Sequence, residues 1–156
     1  MDPEKLYALE SKRVVRTIDE WLVSQKRMLE QLLKEKEKVN SMKDSLSKET
    51  FESDWSALYL SEVASTMVNS MTSHLTFVTK YLKEIEAIRS VVSKGGNDIK
   101  NLYEKENKVR TYHEDIQWLS VLFMMQTEQM AKMIKAAKGL TGDIDVCMRN
   151  VTIMKI

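Results

Sequence analysis

Between Glu4 and Lys94 the chain contains neither glycine nor proline. Tight hairpin turns depend on residues that accept a positive φ or a fixed bend, and Gly and Pro are the strongest of these. Such a stretch strongly disfavours a sheet built on tight turns and points to a helical architecture. The whole 156-residue sequence has one proline, Pro3, and four glycines, Gly95, Gly96, Gly139 and Gly142. They punctuate the chain near its start, near its middle and before its last segment.

Between these marks three segments carry apolar residues at alternating spacings of four and three, the heptad signature. The first seam is Val14, Ile18, Trp21, Gln25, Met28, Leu32, Glu35, Val39, Met42 and Leu46, with Val15, Leu22 and Leu29 widening it. Asp2 and Pro3 suit the N-cap and first position of that helix. The second seam is Leu60, Ala64, Met67, Met71, His74, Val78, Tyr81, Ile85, Ile88 and Val92, with Phe51, Trp55 and Leu58 expected to cover its start. The third seam is Ile99, Leu102, Glu106, Val109, His113, Ile116, Ser120, Phe123, Thr127, Met130, Ile134 and Ala137. Gly95-Gly96-Asn97 reads as a turn that makes helices two and three antiparallel, with Asn97 capping the third. Arg89 and Lys94 suit the end of the second helix.

The expected fold is an all-α, elongated helical bundle or coiled coil of three long helices plus a short C-terminal segment. The helices should span about 3–46, 51–94 and 98–138, each about 60 Å long at about 1.5 Å per residue. Residues 139–156 form a C-terminal docking segment in which Asp143 can cap a short helix bearing Ile144, Met148 and Val151. The break near 45–53 carries only serines and a threonine, and a kinked continuous helix competes with two separate ones there.

Composition narrows the function. Twenty-four Lys and Arg nearly cancel 23 Asp and Glu, giving a net charge of +1, which argues against a nucleic-acid or membrane-surface binder. No apolar run is long enough for membrane insertion. Cys147 is the only cysteine, which excludes an internal disulfide and favours a reducing, intracellular location, cytoplasm or cytoskeleton. The N-terminus shows no secretory signal pattern.

No constellation for catalysis, cofactor binding or small-molecule turnover emerges. His74 and His113 fall on seams, where a metal pair or a pH-sensitive contact competes with ordinary buried, hydrogen-bonded imidazoles. The residues three before them are Met71 and Arg110, so the Glu-x-x-His arrangement of bundle di-iron sites is absent. Hydrogen-bonded structural histidines are therefore expected, no metal site is assigned, and a metal-binding bundle enzyme is the weakest functional reading. Gln25 suits either a register-fixing core position or a frayed, solvated one; Glu35 is expected to face solvent. The alternating Lys-Glu run at 34–38 reads as a solvated, ion-paired face, and its glutamates weaken any contact with acidic lipid or an acidic filament.

Two faces stand out. Ile116 to Thr127, IQWLSVLFMMQT, carries no charge over twelve residues. Ile116 and Phe123 serve the seam, while Trp118, Val121, Leu122 and Met125 are expected on the other side. A helix apolar all round must be covered all round. The first helix or the C-terminal segment could do this, or a second chain. The outward residues of helix two include Ser65, Thr66, Asn69, Thr72, Ser73, Thr76 and Thr79, small and uncharged where Glu, Lys and Arg are the usual surface choices. An unusually Ser/Thr-rich or phosphorylated surface would account for them. So would a docking zone shared with Trp118, Val121, Leu122 and Met125, and Thr66, Asn69, Ser73 and Thr76 are the contact residues expected from helix two.

In general build the chain resembles the small coiled-coil subunits of spindle-associated, kinetochore or vesicle-tethering assemblies. The likeness is one of architecture, covers the three heptad segments and transfers no residue. The leading expectation is a non-enzymatic scaffold subunit that associates with other α-helical subunits, as a hetero-oligomer more than a homo-oligomer, without nucleic acid. An autonomous three-helix-bundle adaptor or effector is the alternative.

Overall fold

The computed structural model describes residues 2–48, 51 and 54–139. The chain is all-α: α1 runs Pro3–Ser45, α2 Asp54–Ser93 and α3 Ile99–Gly139, with no strand among the described residues. The C-terminal docking segment lies outside the described residues, beyond Gly139 of α3.

Each boundary has a local cause. Pro3 opens α1, and the carbonyl of Asp2 accepts the Leu6 N–H at 3.0 Å. At its other end the Ser45 hydroxyl donates to the Met42 carbonyl at 2.8 Å, a side-chain alternative to continued helix. A 3₁₀ turn, Leu46–Lys48, follows and buries Leu46. α1 and α2 are therefore distinct helices, and α2 starts at Asp54, a few residues after the expected position.

α2 ends at Ser93, and Gly95 then takes a φ of +88°, a conformation glycine adopts without steric cost. Gly96 is needed for a different reason: a Cβ there would stand 3.2 Å from Cζ of the buried Tyr7 ring. The cap of α3 is Asp98 and not Asn97. The Asp98 carboxylate accepts the Asn101 N–H at 3.1 Å and its carbonyl accepts the Leu102 N–H at 3.2 Å.

The described chain divides into two compact units, each taking a length of all three helices. Of the described residues, unit 1 comprises those within 2–31 and 75–120, and unit 2 those within 32–74 and 121–139. In unit 1, Val14, Ile18, Val78, Ile85, Val92, Leu102, Val109 and Ile116 have no solvent exposure. The ion pair of Arg13 with Glu106 and the hydrogen bond of Tyr103 to Glu10 set α1 parallel to α3. The pairing of Asp19 with Arg89 and of Lys26 with Glu86 sets α1 antiparallel to α2. Arg89 thus serves α1 and not the end of its own helix.

In unit 2 the core is Leu32, Val39 and Leu46 of α1 and the turn after it, Leu60, Ala64, Met67 and Met71 of α2, and Phe123, Met130, Met133, Ile134 and Ala137 of α3. Burying an aliphatic or aromatic side chain of this size contributes about 1.5–3 kcal/mol. No residue of the three seams is exposed. The three heptad stripes are consumed within the chain, and association with anything else must use the outward faces.

Candidate interaction surface

In unit 2, α3 turns Phe123, Thr127 and Met130 inward and leaves Val121, Met124 and Met125 exposed, Met125 at 57%. Leu122, expected on the outward side with them, is half-buried, because it lies at the edge of the packed stripe. Met124 was absent from the sequence-based set, although its position between Val121 and Met125 placed it within the charge-free run. On the unit 1 length of α3, Ile116 and Leu119 face inward and Trp118 is 62% exposed. Within unit 2, neighbouring exposed apolar side chains such as Val121, Met124 and Met125 mark interaction surfaces more often than plain solvated faces.

The outward face of α2 in unit 2 begins earlier than expected. Trp55 and Leu58 do not cover the helix start; Trp55 is 49% and Leu58 72% exposed. Trp55 stacks on Tyr59 of its own helix, with ring centroids 5.0 Å apart. The sequence contained the signal: Trp55, Leu58, Glu62, Thr66, Asn69 and Ser73 recur at spacings of three and four, opposite the Leu60–Ala64–Met67–Met71 seam. All six are exposed or, in seam terms, outward. Thr76, on the unit 1 length of α2, is also exposed.

The hydroxyls of this face are turned back on the helix. Thr66 donates to the Glu62 carbonyl at 3.0 Å, Thr72 to that of Val68 at 2.7 Å and Ser73 to that of Asn69 at 3.2 Å. A hydroxyl bound to its own backbone demands less water, so covering this face removes less hydration than its composition suggests. Small side chains also permit close approach of a second helix.

The polar seam residues differ in how far their hydrogen bonds are satisfied. Gln25 is fully buried in unit 1, and its amide lies 3.1 Å from His113 Nδ1. His113 stacks on Trp21 at 5.5 Å, with the Arg110 guanidinium 6.0 Å above the Trp21 ring. Burial holds the His113 imidazole below its ordinary pKa, partly offset by the negative charge of Glu114. Glu35 does not face solvent: it is buried in unit 2, takes an ion pair from Lys38 at 3.1 Å and offers its carbonyl to Thr127 at 3.5 Å. His74 departs from the expected hydrogen-bonded imidazole: it meets Phe123 edge-on at 6.2 Å, and its Nδ1 is buried without a hydrogen-bond partner.

Other polar groups in unit 1 join helix to helix. Tyr112 donates its hydroxyl to Glu84, which pushes the phenol up to about 12, and its ring stacks on Tyr81 at 4.4 Å. Arg13 grips Glu106 with two nitrogens at 2.9 and 3.3 Å, and those hydrogen bonds raise the guanidinium pKa further. Among the described residues no group of three or more His, Cys, Asp or Glu is placed to hold a metal ion. Among them, too, no helix is long and apolar enough to cross a membrane.

No protein-family model matches the sequence, and no curated protein or solved structure is significantly similar to it.

Proposed function

We propose that the chain is a non-enzymatic scaffold subunit of a multi-subunit assembly of the cytoskeletal or tethering kind, and that it acts by helix–helix association. In unit 2 its contact residues are Val121, Leu122 and Met125 of α3 and Thr66, Asn69 and Ser73 of α2. In unit 1 they are Trp118 and Thr76. The observation that carries this reading is the exposure of Val121, Met124 and Met125 within a run that has no charge. A solvated helix gains from Glu and Lys on such a face, whereas an α-helical partner gains from Met, Val and Trp. The closed seams favour a second reading, an autonomous three-helix adaptor whose core needs no other chain.

Both readings are tested by one series. The full chain is used to recover helical partners from native cells, and affinity is then measured with Met125→Glu and Trp118→Ala variants that retain their helicity. Hot-spot behaviour means a loss of about 2 kcal/mol or more, about thirty-fold in Kd. Unchanged affinity in both variants removes the proposed surface. A monomer with a sharp, concentration-independent melt and no apolar dye binding selects the adaptor over the scaffold.

A further inference from the structure

Within unit 2 the outward stripe of α3 changes character along its length. Val121, Met124 and Met125 are exposed in a run without charge, and Glu128, Lys132 and Lys135 follow at spacings of three and four, all three exposed. Among the described residues neither lysine makes an ion pair. The helix dipole does not account for them. Its effect fades beyond the last turn, where Lys138 stands, and Lys135 and Lys132 lie four and seven residues short of Gly139. An apolar patch with two unpaired cations beyond it has a polarity that a partner must match.

We infer that this stripe receives a helix of a second protein that is acidic in its N-terminal turns and apolar in its C-terminal turns, laid antiparallel to α3. The inference rests on the partner surface proposed above and adds the partner's chemistry and direction. Val121 and Met125 take apolar side chains, as they would from any amphipathic helix. Lys132 and Lys135 take carboxylates, because complementary charge fixes register and suppresses wrong partners. The direction follows from the partner's own dipole. Asp and Glu are stabilising in the first turn of a helix, so the end rich in them is its N-terminus. That end lies beside Lys132 and Lys135, near the C-terminus of α3, when the two helices run antiparallel.

Glu128 sharpens the register. It lies between Met125 and Lys132, about 6 Å along the axis from the latter. A partner shifted by one turn towards Val121 sets a carboxylate against Glu128, and like charges so placed cost binding energy. From Val121 to Lys135 the stripe runs fourteen residues, about 21 Å, so a partner helix of about four turns covers it. A second copy of the stripe does not match. Paired antiparallel about its centre, it sets Glu128 against Glu128 and Lys135 against Val121; paired in parallel, it sets lysine against lysine. The occupant is therefore a different, acidic chain.

Two synthetic helical peptides of identical composition provide the test. One carries glutamates in its first two turns and leucines at spacings of three and four after them; the other has that order reversed. Fluorescence anisotropy with the full chain reads Kd. The acidic-first peptide should bind about tenfold more tightly than the acidic-last one, and the difference should shrink as salt rises from about 0.05 to about 0.5 M. Lys132→Glu combined with Lys135→Glu should weaken the acidic-first peptide about tenfold, and should favour a third peptide in which lysines replace the glutamates. Circular dichroism checks that this double variant stays helical. Equal affinity for the two orders, or no preference of the double variant for the third peptide, overturns the inference; the partner surface then still stands if Met125→Glu weakens both peptides alike. Unchanged affinity in Met125→Glu removes the surface and the inference with it. No binding of either peptide overturns the inference. So does binding to phosphatidylserine vesicles that the two lysine substitutions abolish, which assigns the stripe to an anionic membrane.

Discussion

In unit 1 the helices are joined by side chains of opposite character that reach from one to another: Arg13 to Glu106, Asp19 to Arg89, Tyr103 to Glu10, Tyr112 to Glu84 and Gln25 to His113. In unit 2 the joining is chiefly apolar, with Met67, Met71, Phe123, Met130 and Met133 all buried. Directional pairs permit one register and penalise the others. Methionine, flexible and unbranched, fills a core without insisting on one arrangement. The unit whose core is most adaptable is also the one that exposes Met124, Met125, Trp55 and Leu58. Directional pairs thus specify register in one unit, while the other combines a methionine-rich core with exposed Val121, Met124 and Met125 in a run without charge.

Phe123→Ala gives the largest expected effect, because Phe123 is fully buried and meets His74 in unit 2. Emptying that site should cost about 3–5 kcal/mol in chemical denaturation. A loss below about 1.5 kcal/mol would show that the methionine-rich core of unit 2 refills the space, which sharpens the contrast further.

Arg13→Met tests the other side. It leaves the buried Glu106 carboxylate without its two-nitrogen partner, and the expected loss is about 2 kcal/mol, reduced from a fully buried case because Arg13 is half exposed. Adding Glu106→Met should restore much of it. Failure of the second substitution to rescue would mean that the pair does not act as a unit, and the contrast between polar and apolar joining would collapse.

The smallest effect is the acid response of His113. Its folded pKa lies below that of the unfolded chain, so the unfolded state binds more protons. Stability should be complete above about pH 6.5 and fall as pH drops through the window below it, by at most about 1.4 kcal/mol per pH unit for one proton. The carboxylates of Glu10 and Asp19 are instead held low by their hydrogen-bond partners, Tyr103 and Arg13 for one and Arg89 for the other, so their contributions are lost at more acidic pH. Replacing Gln25 and His113 together by leucine should remove the upper part of the acid response and leave the lower part. An unchanged profile would show that the buried imidazole does not govern that window.

The seams were legible because periodicity is local: a stripe repeating every three or four residues reports which side of a helix will be buried. The reversal at Gly95 was legible for a similar reason, since a positive φ singles out glycine. The exposed positions of Trp118, Val121 and Met125 follow from the same arithmetic. Trp55 and Leu58 obeyed it too, although aromatic and aliphatic character suggested a helix start covered by its own residues.

What the sequence by itself determined is the helical class, the three buried stripes and the turn between α2 and α3, whereas the separation of α1 from α2 came from the structure. Only the tertiary structure decided that Gln25, Glu35 and Glu106 are buried, that α1 lies parallel to α3, and that the described chain divides into two units. The reason is separation along the chain. Gln25 meets His113 and Arg13 meets Glu106 across 88 and 93 residues, and Glu35 meets Thr127 across 92. A polar residue on a seam is solvated or buried according to whether a partner stands opposite, and no local pattern records what a distant segment will bring there.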